Sequence, residues 1–154
     1  MKVNILTFAD SVNSYEGGKL VIVGTFDNVE ADKCPFVLMK PIGVAIKLKA
    51  ERNDYGKNYD GFLVLRKAGT KKAVIKLSFP VKFPQPPVQK GVSFVAGINL
   101  GGLKFDSFGT YILELKVGSK VISAIRLNMV KAKLQKRNKV AREKSKKEKK
   151  KKTK

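Results

Sequence analysis

The residues whose types and spacing could do chemistry in this chain are its cations, and they crowd the C-terminal end. Residues 131–154 hold 14 Lys/Arg against 2 Asp/Glu, while residues 1–130 hold 19 against 10. More than half of the net charge of +21 therefore sits in the last sixth of the 154 positions. The chemistry this pattern serves is contact with a polyanion. Each Lys or Arg that neutralises a phosphate releases a condensed counterion, and that gain needs no folded geometry. The contact is expected from Lys131, Lys133, Lys136, Arg137, Lys139, Arg142, Lys144, Lys146, Lys147, Lys149, Lys150, Lys151 and Lys152. If about six such charges engage duplex DNA, the log–log salt slope is about −5. Binding of this kind is blind to sequence, because Lys-rich chain sits on phosphates and offers no fork to base edges. The segment has no aromatic residue, so any base stacking would have to come from the rest of the chain.

Residues 131–143 are mostly helix formers, but Leu134, Val140 and Ala141 are too few to hold a packed face. In residues 144–154 like charges four apart oppose a helix. The segment reads as fraying helix followed by disorder. Two plainer uses compete with nucleic-acid contact. One is a solubilising tail. The other is attraction to anionic lipid, which here lacks an apolar anchor or lipidation signal. Elsewhere Lys47 and Lys49 share one strand face, as do Lys76 and Lys82. Such pairs can track a phosphate backbone, but more often they solvate an outer face or keep edge strands from pairing.

Other chemistry is thin. There is no His, which removes the commonest general base and metal ligand. The acids Asp27, Glu30, Asp32, Asp54, Asp60 and Asp106 are scattered over loops; Glu30 with Asp32 falls far short of the six to eight oxygens Ca²⁺ wants. Gly17-Gly18-Lys19 lacks the longer phosphate-loop spacing and leads into a strand. Cys34 is alone, so no intrachain disulfide forms, and it reads as a small half-buried residue before Pro35. No catalytic residue, cofactor or metal is expected. The opening residues make no signal peptide, and no run approaches the roughly 20 apolar residues of a membrane span. A cytoplasmic protein is the expectation.

The elements that would carry these residues are strands. Val3-Asn4-Ile5-Leu6-Thr7-Phe8-Ala9 and Leu20-Val21-Ile22-Val23-Gly24-Thr25-Phe26 are apolar runs separated by Asp, Asn, Ser and Gly, which read as a long loop in a hairpin. The density of β-branched residues in the second run predicts a strand near a sheet centre. Residues 27–35 read as polar loop and residues 37–39 as a short strand. Ile42, Val44, Ile46 and Leu48 face one way, Gly43, Ala45, Lys47 and Lys49 the other, as in a half-buried strand with a solvated outer face. A fourth strand is expected over 62–67, then one over 75–83 whose Pro80 predicts an edge or a bulge. Further strands follow over 92–99, 111–117 and 121–127, the last two closed by Gly118-Ser119.

With about eight strands at 8–12-residue spacing and no helical periodicity before residue 129, the fold class is all-β. An antiparallel, immunoglobulin-like sandwich over residues 1–130 is expected, followed by a basic tail over 131–154. Asp106-Ser107-Phe108-Gly109-Thr110-Tyr111 adds a cue: a tyrosine corner returns the phenol to the preceding backbone, although Leu113 stands where antibody domains have Cys.

Leu6-Thr7-Phe8-Ala9-Asp10, Gly18-Lys19-Leu20-Val21-Ile22-Val23-Gly24-Thr25-Phe26, Ile98-Asn99-Leu100 and Gly109-Thr110-Tyr111 resemble an uncharacterised family of small bacterial and phage-associated domains. The resemblance covers about residues 1–130, implies a sandwich and brings no activity. The expected function is therefore a non-enzymatic binding module with nonspecific nucleic-acid affinity through its tail. The alternative is a structural protein of an assembly such as a phage particle, in which the sandwich makes the protein contacts. A small ligand held between the sheets is a third reading, and it depends on an unfilled core.

Overall fold

Alternating apolar residues oblige each segment to bury one face, and extended backbone meets that demand with eleven strands among the described residues. The computed structural model describes residues 1–15, 18–85 and 91–132. The strands are β1 (Lys2–Tyr15), β2 (Lys19–Phe26), β3 (Asn28–Ala31), β4 (Phe36–Leu38), β5 (Ile42–Lys49), β6 (Asn58–Lys67), β7 (Ala73–Lys82), β8 (Ser93–Leu100), β9 (Leu103–Phe105), β10 (Gly109–Val117) and β11 (Lys120–Lys131). A 3₁₀ turn covers Arg52–Asp54. One sheet has the order β2-β1-β5-β8, a second the order β3-β11-β10-β6-β7, and β4 pairs with β9 alone. The two large sheets share one core. Val44, Ile46 and Leu48 from the first, and Leu63, Leu65, Leu113, Leu115 and Leu127 from the second, are all 0% exposed and belong to one cluster. Phe8, Phe83, Phe105 and Tyr111 fill the remaining space.

Several expectations hold. The strand bearing Pro80 is the outermost of its sheet, with Pro80 opposite Asp60, where a missing N–H costs no ladder bond. Val117 pairs with Lys120 across Gly118 and Ser119. The Tyr111 hydroxyl donates to the carbonyl of Ser107 at 2.9 Å, while its ring meets Phe105 edge-on at 4.9 Å. Replacing it, Tyr111→Phe, is expected to cost about 1 kcal/mol and a few degrees in Tm, read by thermal denaturation. No loss would mean that the corner bond holds nothing.

The hairpin differs from its expectation. β1 does not stop at Ala9; residues 11–15 pair in turn with Val23 back to Lys19. Turn-forming side chains lose here because a partner strand satisfies the backbone they would otherwise bond. β2 is also not central but an edge, with Val21 46% and Val23 55% exposed. β-branched density reports a pleated surface, and cannot say which side has a neighbour.

Nor is the outer face of β5 solvated throughout. Val12, only 3% exposed, packs there with Ala9 and Ala45. A Cβ added at Gly43 or Gly97 would come within 2.6 or 2.8 Å of its methyls. The outer half of the hairpin thus folds across β5 toward β8 and rests on glycines. The bend falls where Asp10 meets Gly24, whose φ of +66° suits glycine. Gly97→Val is expected to overpack this seat, costing about 1–3 kcal/mol. Amide exchange should quicken in residues 11–15 first; unchanged protection there would contradict the seating.

Two strands escaped the sequence reading altogether, β3 inside the supposed polar loop and β9 after Gly101-Gly102. β3 runs parallel to β11, Asn28 opposite Asn128 through Ala31 opposite Lys131, so the five-stranded sheet is not wholly antiparallel.

Candidate functional site

Lys67 ends β6 and Lys72 precedes β7, and the residues between them make a tight turn. Gly69 takes φ +77°, the Thr70 amide donates to the Lys67 carbonyl at 3.1 Å, and the Thr70 hydroxyl donates to the same oxygen at 2.9 Å. Lys104 lies between buried Leu103 and Phe105 on β9, so period two turns it outward. These lysines line a cleft of about 320 Å³ with Thr70, Val74 and Asp106, over a floor that includes Tyr111. The Lys67 ammonium donates to the Ser107 hydroxyl at 2.7 Å, beside the Ser107 carbonyl held by Tyr111. Lys72 lies 4.0 Å from the carboxylate of Asp106. Among the described residues no carboxylate comes within 4.0 Å of Lys67 or Lys104. Three ammonium groups thus face one carboxylate.

The C-terminal segment starts at this end of the molecule. Tyr111 is opposite both Leu127 and Lys67. β11 therefore passes Lys67 at Leu127, about 10 Å away across two strand spacings, and Lys131 ends the strand about 13 Å further along, toward the end where the cleft opens. Lys131, assigned to the tail from sequence, is instead the exposed last residue of β11, paired with Ala31. The other twelve, Lys133, Lys136, Arg137, Lys139, Arg142, Lys144, Lys146, Lys147 and Lys149 to Lys152, lie outside the described residues. The strand lysines are not brought together. Lys47 and Lys49 sit on the outer side of the four-stranded sheet, and Lys76 and Lys82 on the outer side of the other. Lys76 also covers the Phe62 ring at 5.4 Å, a local use of its charge.

Of the acids, Asp54 and Glu114 are engaged in structure, while Glu30, Asp32 and Asp60 are exposed. Asp54, 7% exposed, accepts the Met1 ammonium at 2.8 Å, the Glu51 amide at 2.9 Å and the Tyr59 hydroxyl at 2.9 Å. Burial alone would raise its pKa; the bonds from Met1, Glu51 and Tyr59 outweigh that and hold it below the ordinary value. Glu114 bonds to Arg66 and lies 3.4 Å from Lys116; the Arg66 bond leads in lowering its pKa. Among the described residues no three His, Cys, Asp or Glu side chains gather as metal ligands do, and Cys34 is half-buried and free. No helix among them is long and apolar enough to cross a membrane. A second, more open concavity of about 600 Å³ lies between β1–β2 and β11, with Thr7, Asp27, Arg126 and Asn128 in its wall.

The cleft was missed from sequence. Lys71 and Lys72 beside Gly69-Thr70 were a local signal, but only the packing of β9 against β7 brings Lys104 near them. A family model described as a family of unknown function (DUF6941) matches residues 4–130. No curated protein matches the chain.

Proposed function

We propose, since the chain belongs to this family of unknown function and inherits no activity from it, that the protein is a non-enzymatic binding module for nucleic acid. Its polybasic C-terminal segment supplies affinity without sequence preference. The observation that carries this is the concentration of 14 Lys/Arg in residues 131–154. The route of β11 supports it, because that strand delivers the segment at the end of the body where Lys67, Lys72 and Lys104 gather. The match ends at residue 130, so this function is a property of the present chain. The test compares the full chain with one ending at Ala132 for binding to duplex DNA and RNA across salt. Ending at Ala132 keeps the Lys131 pairing and the bond from the Ala132 amide to the Ala31 carbonyl at 2.9 Å.

We read the body as an immunoglobulin-like sandwich of eight strands, β1, β3, β5, β6, β7, β8, β10 and β11. The β2 arm and the β4–β9 pair are then additions. The parallel pairing of an early strand with the last one and the Tyr111 corner at the start of the penultimate strand support this. Buried Leu113 and Leu65 then occupy the layer that a disulfide and a Trp fill in antibody domains.

A second reading, a structural part of an assembly such as a phage particle, draws on β2. Among the described residues no strand pairs with its outer edge, and it carries exposed Val21 and Val23, a template for protein contact. Light scattering at high protein concentration separates self-assembly from a monomer.

A further inference from the structure

We infer that the cleft of Lys67, Lys72 and Lys104 is a discrete phosphate-binding site on the folded body. It would take a phosphomonoester or phosphodiester group. The site adds a fixed anchor to the polyanion reading but does not depend on it, since none of its residues belongs to the C-terminal segment.

Position is the first argument. A lysine that only solvates a surface has no need of a fixed head. Lys67 is half-buried, and its ammonium is tied to the Ser107 hydroxyl at 2.7 Å. The Ser107 carbonyl is in turn held by Tyr111, which is 1% exposed. That bond uses one of three ammonium donors, leaving two for a ligand. Charge is the second argument. Lys104 has no carboxylate within 4.0 Å among the described residues. Asp106 lies 4.0 Å from Lys72 and offsets one of the three charges, which leaves the lining with an excess of cations. Size is the third. About 320 Å³ is at the small end of ligand pockets, enough for a phosphate with its sugar. The buried Tyr111 offers no face on which a base could stack, so the site selects the charged group.

The test uses the full chain, with amide and methyl NMR signals followed during titration at constant ionic strength. The probes are inorganic phosphate and, separately, a short thymidine oligonucleotide without terminal phosphate. Saturating shifts at Ala73, Val74 and Lys104 are expected. The double variant Lys67→Met with Lys104→Met should weaken that binding about tenfold or more, while Lys67→Arg with Lys104→Arg should retain it. Should the double Met variant unfold, Lys104→Met alone serves, since that side chain points outward. Saturation by phosphate alone identifies a free phosphate or monoester ligand; saturation by both admits the backbone of a strand. Either result supports the site. Shifts that never saturate, or that survive the Met substitutions, overturn it. Shifts confined to residues 133–154 with both probes would overturn the cleft while leaving the C-terminal reading intact, and oligonucleotide-induced shifts confined to the cleft would do the reverse.

Discussion

Ending the chain at Ala132 is expected to remove most of its salt-sensitive affinity for duplex DNA. With about six phosphates neutralised, the log–log slope is about −5, so raising salt fourfold from about 50 to 200 mM should weaken the full chain about a thousandfold. The shortened chain loses 13 of the 14 Lys/Arg in residues 131–154 and keeps Lys131. Its slope should fall to about −3 or shallower if only the three cleft lysines remain in contact. Scrambling residues 133–154 should change little, because counterion release counts charges and ignores their order. A slope unchanged by the cut would remove the segment from the mechanism. The strand lysines could not readily replace it on one ligand, since Lys47 with Lys49 and Lys76 with Lys82 lie on opposite outer faces.

Asp54→Asn is expected to cost about 3 kcal/mol, or about 10 °C in Tm. The amide oxygen can still accept from the Met1 ammonium and the Glu51 N–H, with its NH2 turned to the Tyr59 hydroxyl oxygen. The negative charge is gone, however, leaving a shielded cation with only the carboxylate of Glu51, whose side chain is 68% exposed. The pH dependence follows from two opposite shifts. The Asp54 carboxyl lies below its ordinary value, so its contribution is present above the ordinary carboxylate range and is lost as pH falls through the folded value. The Met1 amine lies above its ordinary value, chiefly through its bond to Asp54. Its contribution is present below that ordinary value and is lost as pH rises through the folded one. The difference between wild type and variant should therefore be greatest between about pH 4 and pH 8 and shrink beyond both limits. Denaturant unfolding at pH 3, 6 and 10 measures it. Equal stability of the two proteins at pH 6 would show that the pair contributes nothing.

The legibility of this protein was uneven, and the unevenness is physical. Strand periodicity was plain in Ile42, Val44, Ile46 and Leu48, because one buried face imposes period two whatever the neighbours are. Pro80 announced its edge because the missing donor is a property of the residue itself. Tyr111 could be assigned its bond to the preceding backbone, since both partners lie four positions apart. β3 could not be found this way. Asn28-Val29-Glu30-Ala31 is short and half polar, and it becomes a strand only because β11, about 100 positions later, lies alongside. The continuation of β1 past Asp10 was hidden for the same reason, since Val12 finds its seat on Gly43 and Gly97.

By itself the amino-acid order determined the β class, the absence of histidine chemistry and the cationic C-terminal segment, all of which depend on residue type and short spacing. Only the tertiary structure decided that β2 is an edge, that a hairpin arm covers the outer side of β5, and that Lys67, Lys72 and Lys104 share one cleft. Those facts depend on which distant strands become neighbours, and sheet pairing is settled by the burial of all the strands together.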